Sequence, residues 1–166
     1  ARTLDNDRTQ LTSVLTAAAQ HRGTALVEIY QNCPIFNDGA FDLLKDQGEK
    51  EQRLIPLENG KPIRFGPNSE YGVIRTDSGT LDTAKIAEVG DNRIVVHDTT
   101  IDDPTYAFAL SRLSTQDLSH TVTGIYRNIS RPTYDDQARQ QVTAATETKP
   151  ADLRSLLRGS DTWTVG

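Results

Sequence analysis

Among 166 residues the chain has one cysteine, three histidines and two Asp-Asp pairs with which to do redox, nucleophilic or metal chemistry. The cysteine, Cys33, stands in the run Tyr30-Gln31-Asn32-Cys33-Pro34-Ile35-Phe36-Asn37-Asp38-Gly39. One thiolate cannot hold a zinc ion or an iron–sulfur cluster, each of which takes about four ligands. Any such group would need ligands from outside this sequence. Three readings of Cys33 therefore stand side by side: a small buried side chain, which its place after an apolar strand favours, a redox-active free thiol with a depressed pKa, or one ligand of a divided set. His21, His97 and His120 share no ligand spacing, and nothing in the sequence puts one of them beside Cys33 as a catalytic base. Asp102-Asp103 and Asp135-Asp136 both precede helical patterns, so helix capping accounts for them. No glycine-rich phosphate loop and no nucleophile-elbow motif occurs.

What positions Cys33 is the segment Thr24-Ala25-Leu26-Val27-Glu28-Ile29-Tyr30. Both of its alternating faces carry apolar residues, which predicts a strand covered on two sides, as in a parallel sheet. Ligands of open α/β sheets gather beyond the carboxyl ends of the strands, so residues 31–39 fall where function is expected. Pro34 fixes one dihedral after the cysteine, and Asn37-Asp38-Gly39 is turn chemistry. Upstream, Asp7 and Gln10 have capping-box spacing, and Leu11, Val14, Leu15 and Ala18 form an amphipathic stripe that His21-Arg22-Gly23 closes. A helix followed by a parallel strand is half of a βαβ unit. Ala1 to Leu4 reads as a strand end or an entry loop, and the strand that should precede the helix is read as absent from this sequence, its partners expected from another chain or from a lost part of the sheet.

Beyond the cysteine run, Ala40–Lys45 predicts a short helix and 47–52 a polar, mobile linker. Asn59-Gly60 between two apolar runs predicts a hairpin, and with the turns at 77–79 and 90–92 an antiparallel meander from about Arg53 to Asp98. Pro56 and Pro62 then belong at strand ends or on an edge. Asp102-Asp103-Pro104 starts a helix with a stripe of Tyr106, Ala107, Leu110 and Leu113, and 121–127 reads as a strand. A polar helix from Pro132 needs docking to persist. A last helix spans Pro150 to Leu157, and Trp163 is expected to pin the tail. The fold class expected is α/β: a helix and parallel strand over 1–46, followed by a small α+β domain with an antiparallel meander over 53–166.

A formal charge of −5 without a Lys/Arg run excludes a nucleic-acid binder. No apolar run reaches membrane length and no signal-peptide pattern opens the chain. A single cysteine excludes an internal disulfide framework and suits a reducing, cytoplasmic setting. The chain starts at Ala1 and contains no methionine, which is consistent with a processed chain, a fragment or a product stripped of its first part.

Ala1–Arg8, His21–Gly39, Arg53–Leu57, Pro62–Gly66, Ala107–Leu113 and Asp161–Val165 together carry a resemblance. The chain resembles the β subunit of 2-oxoacid:ferredoxin oxidoreductases, especially the 2-oxoglutarate type of actinobacteria, and the Tyr-Gln-Asn-Cys-Pro-Ile-Phe-Asn-Asp-Gly motif is specific. The resemblance implies the C-terminal half of such a subunit: the end of a thiamine-diphosphate-binding fold, then the family's C-terminal domain. It implies thiamine diphosphate, magnesium and one [4Fe-4S] cluster in the whole enzyme. Their other ligands, three cysteines and a diphosphate–magnesium motif, lie in the N-terminal half. The fourth cluster cysteine maps onto Cys33, with Asn32 and Pro34 beside it in the cofactor loop. The implied reaction is oxidative decarboxylation of a 2-oxoacid to an acyl-coenzyme A, with electrons passed through the cluster to ferredoxin. Partners implied are the α subunit, ferredoxin, the 2-oxoacid and coenzyme A. By itself the chain is expected to hold no cofactor and to be inactive, and an orphaned strand edge makes a homodimer of the piece a further expectation. The competing expectation is a non-catalytic partner-binding module.

Overall fold

The computed structural model describes residues 1–148 and 151–165. They form two compact units, Ala1–Ser130 and Arg131–Gly166.

In the first unit, β1 (Arg2–Leu4) runs parallel to β2 (Glu28–Tyr30), with Thr3 opposite Ile29. Between them lies helix α1 (Arg8–Gln20), capped by Asp7, whose side chain accepts the Gln10 N–H. The βαβ unit is thus complete, and the partner strand missing from the sequence reading is β1. Three residues are too few to show a period, which is why it read as an entry loop. β2 corrects a second expectation. It is an edge strand, not one covered on both faces: Leu26 is 83% exposed and Ile29 40%. An apolar run looks the same in sequence whether the fold covers it or leaves it at an edge.

β1 pairs antiparallel with β7 (Thr121–Gly124), which in turn runs parallel to β3 (Leu54–Leu57), giving the order β2-β1-β7-β3. Residues on either side of 47–52 therefore share one sheet, and the break between compact units falls after Ser130. That stretch is not all linker, since helix α2 (Lys50–Arg53) begins in it, held by an Arg53–Glu49 ion pair of 2.6 Å. Pro56 lies in β3 on the outer edge of the sheet, the place in a sheet where proline is tolerated. Gly124 ends β7 at φ +112°, and a Cβ there would lie 2.8 Å from the Leu57 carbonyl oxygen, so only glycine allows this approach of β7 to β3.

The antiparallel meander is real but shorter than expected. It comprises β4 (Arg64–Phe65), β5 (Tyr71–Arg75) and β6 (Leu81–Lys85). β3 leaves it for the other sheet, so no hairpin joins 53–57 to 61–65. Residues 93–97 add isolated bridges at Ile94 and Val96 in place of a strand. A short helix α3 (Ile86–Val89) follows β6. Helix α4 (Pro104–Arg112), capped by Asp103 with Pro104 in its first turn, lays Tyr106 and Leu110 into a core shared with Ile55, Leu57, Ile63, Phe65, Val73 and Val122.

His97 is buried beside this core. A carbonyl can only accept, so Nε2–H donates to Ile125 O at 2.8 Å, which leaves Nδ1 to accept from the Tyr106 hydroxyl at 3.1 Å. Burial lowers the His97 pKa from its ordinary value. The unfolded chain therefore binds the proton more readily, and stability should fall as pH drops through the ordinary histidine pKa toward the depressed folded one. Urea midpoints taken between about pH 7 and about pH 5 should fall more steeply in the wild type than in His97→Gln. Parallel pH profiles would contradict this.

In the second unit, α5 (Tyr134–Thr148) and α6 (Leu153–Arg158) bury none of their residues. Asp152 caps α6, and the expected helix start at Pro150 lies outside the described residues. Leu153, Leu156 and Leu157 are exposed, and Trp163, expected to pin the tail, is 84% exposed.

Candidate functional site

β2 delivers the chain into the loop that carries Cys33. The expected helix after this loop is a single 3₁₀ turn, Asp42–Leu44, which buries Leu44. Phe41, just before that turn, stacks on Tyr30 at 4.5 Å between ring centroids and so closes the loop at its base. Asp5, at the exit of β1, ties both sides of the base together. Its N–H donates to Tyr30 O (3.1 Å), and its carboxylate accepts from Asn32 N–H (3.4 Å) and pairs with Lys45 Nζ (3.1 Å).

Within the loop the Asn37 N–H donates to Cys33 O at 2.9 Å, folding 33–37 into a tight turn. Cys33 is half-buried, and the Phe36, Ile35 and Asn37 N–H groups, in that order of effect, lower its thiol pKa. Such donors favour the thiolate, the form that ligates metals and attacks electrophiles. Pro34, Ile35 and Phe36 make up the exposed tip, with Ile35 82% and Phe36 89% exposed. The reading of Cys33 as a small residue lost in the core is overturned. An apolar strand suggested burial, but its edge position leaves the loop after it open. Asn32 turns its side chain inward to the loop: Oδ1 accepts the Gly39 N–H and Nδ2 donates to Asp38 Oδ1, each at 2.9 Å. Gly39 has φ +73°, a conformation a Cβ would strain.

No histidine joins Cys33. His21 bonds Asn128 at 2.9 Å, His97 is held by Ile125 and Tyr106, and His120 meets the Phe65 ring edge-on at 5.3 Å. Asp103 caps α4 and Asp102 pairs with Arg127, so that carboxylate pair is structural, as its place before a helix predicts. In the second unit Asp135 pairs with Arg139, and Asp136 accepts the Thr133 N–H at the start of α5. Among the described residues no group of three or more His, Cys, Asp or Glu side chains is arranged to hold a metal ion. Among those residues no other His, Cys, Asp or Glu side chain joins Cys33 in such a group.

The sequence reading missed Asp5 and the inward role of Asn32. The only signal for either was the density of Asn and Asp around the turn, whose side chains readily bond nearby backbone.

The chain is 60% identical over 99% of its length to 2-oxoglutarate oxidoreductase subunit KorB of Mycobacterium tuberculosis, and it spans 44% of that relative. This bears out the resemblance carried by the cysteine motif. No family model matches the chain. No solved structure matches it either.

Proposed function

We propose that this chain is the C-terminal part of the β subunit of a 2-oxoacid:ferredoxin oxidoreductase acting on 2-oxoglutarate. What carries the reading is the 60% identity to a 2-oxoglutarate oxidoreductase subunit, together with an accessible loop thiol favoured as thiolate by three backbone N–H groups. The whole enzyme decarboxylates its 2-oxoacid oxidatively and forms the acyl-coenzyme A. Partners are an α subunit and ferredoxin, in the cytoplasm. Residues 1–46 correspond to the end of the thiamine-binding fold and 53–166 to the subunit's C-terminal region, the two sharing one sheet up to Gly124.

Cys33 fits an iron–sulfur cluster as one thiolate ligand, and the cluster, when bound, supplies one-electron transfer. The backbone N–H groups of residues 35–37 favour a charged sulfur, and the exposed tip leaves that sulfur open to water. Both are levers on a cluster's potential. Thiamine diphosphate and magnesium have no assigned contact in this chain, and their residues belong to the remainder of the subunit.

Two measurements test the proposal. The complete subunit, assembled with its α partner, should reduce ferredoxin in the presence of 2-oxoglutarate and coenzyme A. The 166 residues alone should hold no iron after anaerobic treatment with iron and sulfide, because one thiolate is about a quarter of a ligand set. Iron bound one cluster per chain by the isolated piece, or a complete enzyme indifferent to 2-oxoglutarate, would overturn it.

A further inference from the structure

The loop around Cys33 is built as a closed neck with a free tip, and one side chain bridges it internally. At the neck, Tyr30 stacks on Phe41, and Asp5 joins the strand exit to Lys45 on the returning arm. Higher up, Asn32 spans the loop from the residue before the cysteine to Asp38 and Gly39, the last two residues of the turn. The orientation of its amide is fixed by its partners. The Gly39 N–H can only donate, so Oδ1 faces it, and the Asp38 carboxylate accepts, so Nδ2 faces that. Both ends of the amide are engaged inside the loop.

We infer that Asn32 is a positioning residue: it touches no cofactor, and it holds Cys33 and the 35–37 N–H groups in ligand-ready geometry before any metal arrives. This rests on the reading of Cys33 as a cluster ligand and adds to it which residue fixes that ligand. A loop with so exposed a tip would otherwise sample many backbone states, and each would have to be given up when the sulfur is bound. Partners one shell out from a metal ligand commonly govern affinity by about 10–100-fold. Asn32 is such a partner acting through backbone.

The bridge makes a specific demand of chemistry. In Asn32→Asp the new carboxylate still accepts from the Gly39 N–H, but it faces the Asp38 carboxylate with no proton between them. Combining Asn32→Asp with Asp38→Asn exchanges donor and acceptor and restores the bond. In the complete, cluster-loaded subunit, Asn32→Asp should release iron to a chelator about 10-fold faster than wild type and shift the cluster's reduction potential. The double variant should recover most of both changes. Asp38→Ala, at an exposed position that leaves folding untouched, should also speed release, whereas Asp38→Asn alone keeps an acceptor and should stay near wild type. Rescue by the swap separates a bridging role from general damage to the loop. Wild-type release and potential in Asn32→Asp and Asp38→Ala, or a double variant as impaired as the single, would overturn the inference. A Cys33→Ser subunit that kept its full iron would instead overturn the assignment of Cys33, so the two failures are distinguishable.

Discussion

Cys33→Ser in the complete subunit should abolish ferredoxin reduction while leaving the fold intact. A serine hydroxyl stays protonated where the thiol is ionised, so the exchange removes a thiolate ligand and keeps the side chain's size. The three N–H groups from Phe36, Ile35 and Asn37 that favour a charged sulfur would face a neutral oxygen. Loss of a direct ligand should exceed the roughly 10–100-fold effect of outer partners, so iron content should fall sharply and activity by more than about 100-fold. Stability should hardly change, because Cys33 is half-buried on a loop and is no part of the core around Leu110. Iron analysis, ferredoxin reduction and a thermal melt on one preparation test all of this. Retained iron, or a melt that drops along with the iron, would contradict the account.

Leu110→Ala should be among the most damaging single truncations of the fold. Leu110 is fully buried on α4, in one cluster with Ile55, Val73 and Val122. Removing its isobutyl group leaves a cavity that packed neighbours fill only partly, at a cost of about 2–5 kcal/mol. Against the about 5–15 kcal/mol that holds an ordinary domain together, that is a large share. Leu156→Ala is the natural contrast. It removes the same atoms from a side chain 78% exposed on α6 and should stay within about 0.5 kcal/mol of wild type. Urea unfolding followed on the first unit should show the midpoint falling for Leu110→Ala at unchanged slope. Equal losses for the two leucines would mean that the tail is buried in solution.

Much of the fold was legible where one local rule decides the outcome. Asp7 and Asp103 cap the helices they precede, Pro104 sits in a first turn, and Thr121–Gly124 forms a strand, as their types and spacing imply. The turn at Asp77-Ser78-Gly79 forms too, closed by Gly79 N–H to Thr76 O at 2.9 Å. What failed was pairing. The Asn59-Gly60 turn exists, with Lys61 N–H bonded to Glu58 O at 3.1 Å, but its arms part. Asn59 Oδ1 accepts the Thr99 N–H at 2.9 Å, the Gly60 N–H reaches His97 O at 2.8 Å, and β3 crosses to β7. Tertiary burial chose the partner, and no window of sequence contains both strands.

At the site, the motif pointed to Cys33 but not to how it is held. Side-chain bonds such as Asn32 to Gly39 have no period to read, and Asp5 acts across the β1–α1 unit from 27 residues before Asn32. The cysteine was found from its type, and its setting only from the fold.

The unpaired side of β2 has a practical meaning for anyone preparing this polypeptide. Its outward amides and the apolar groups of Leu26 and Ile29 offer a template on which a neighbouring molecule can add a strand. Concentrated stocks will tend toward clumping that begins at this rim, and a lysine in place of Ile29 is the simplest way to keep the molecules apart.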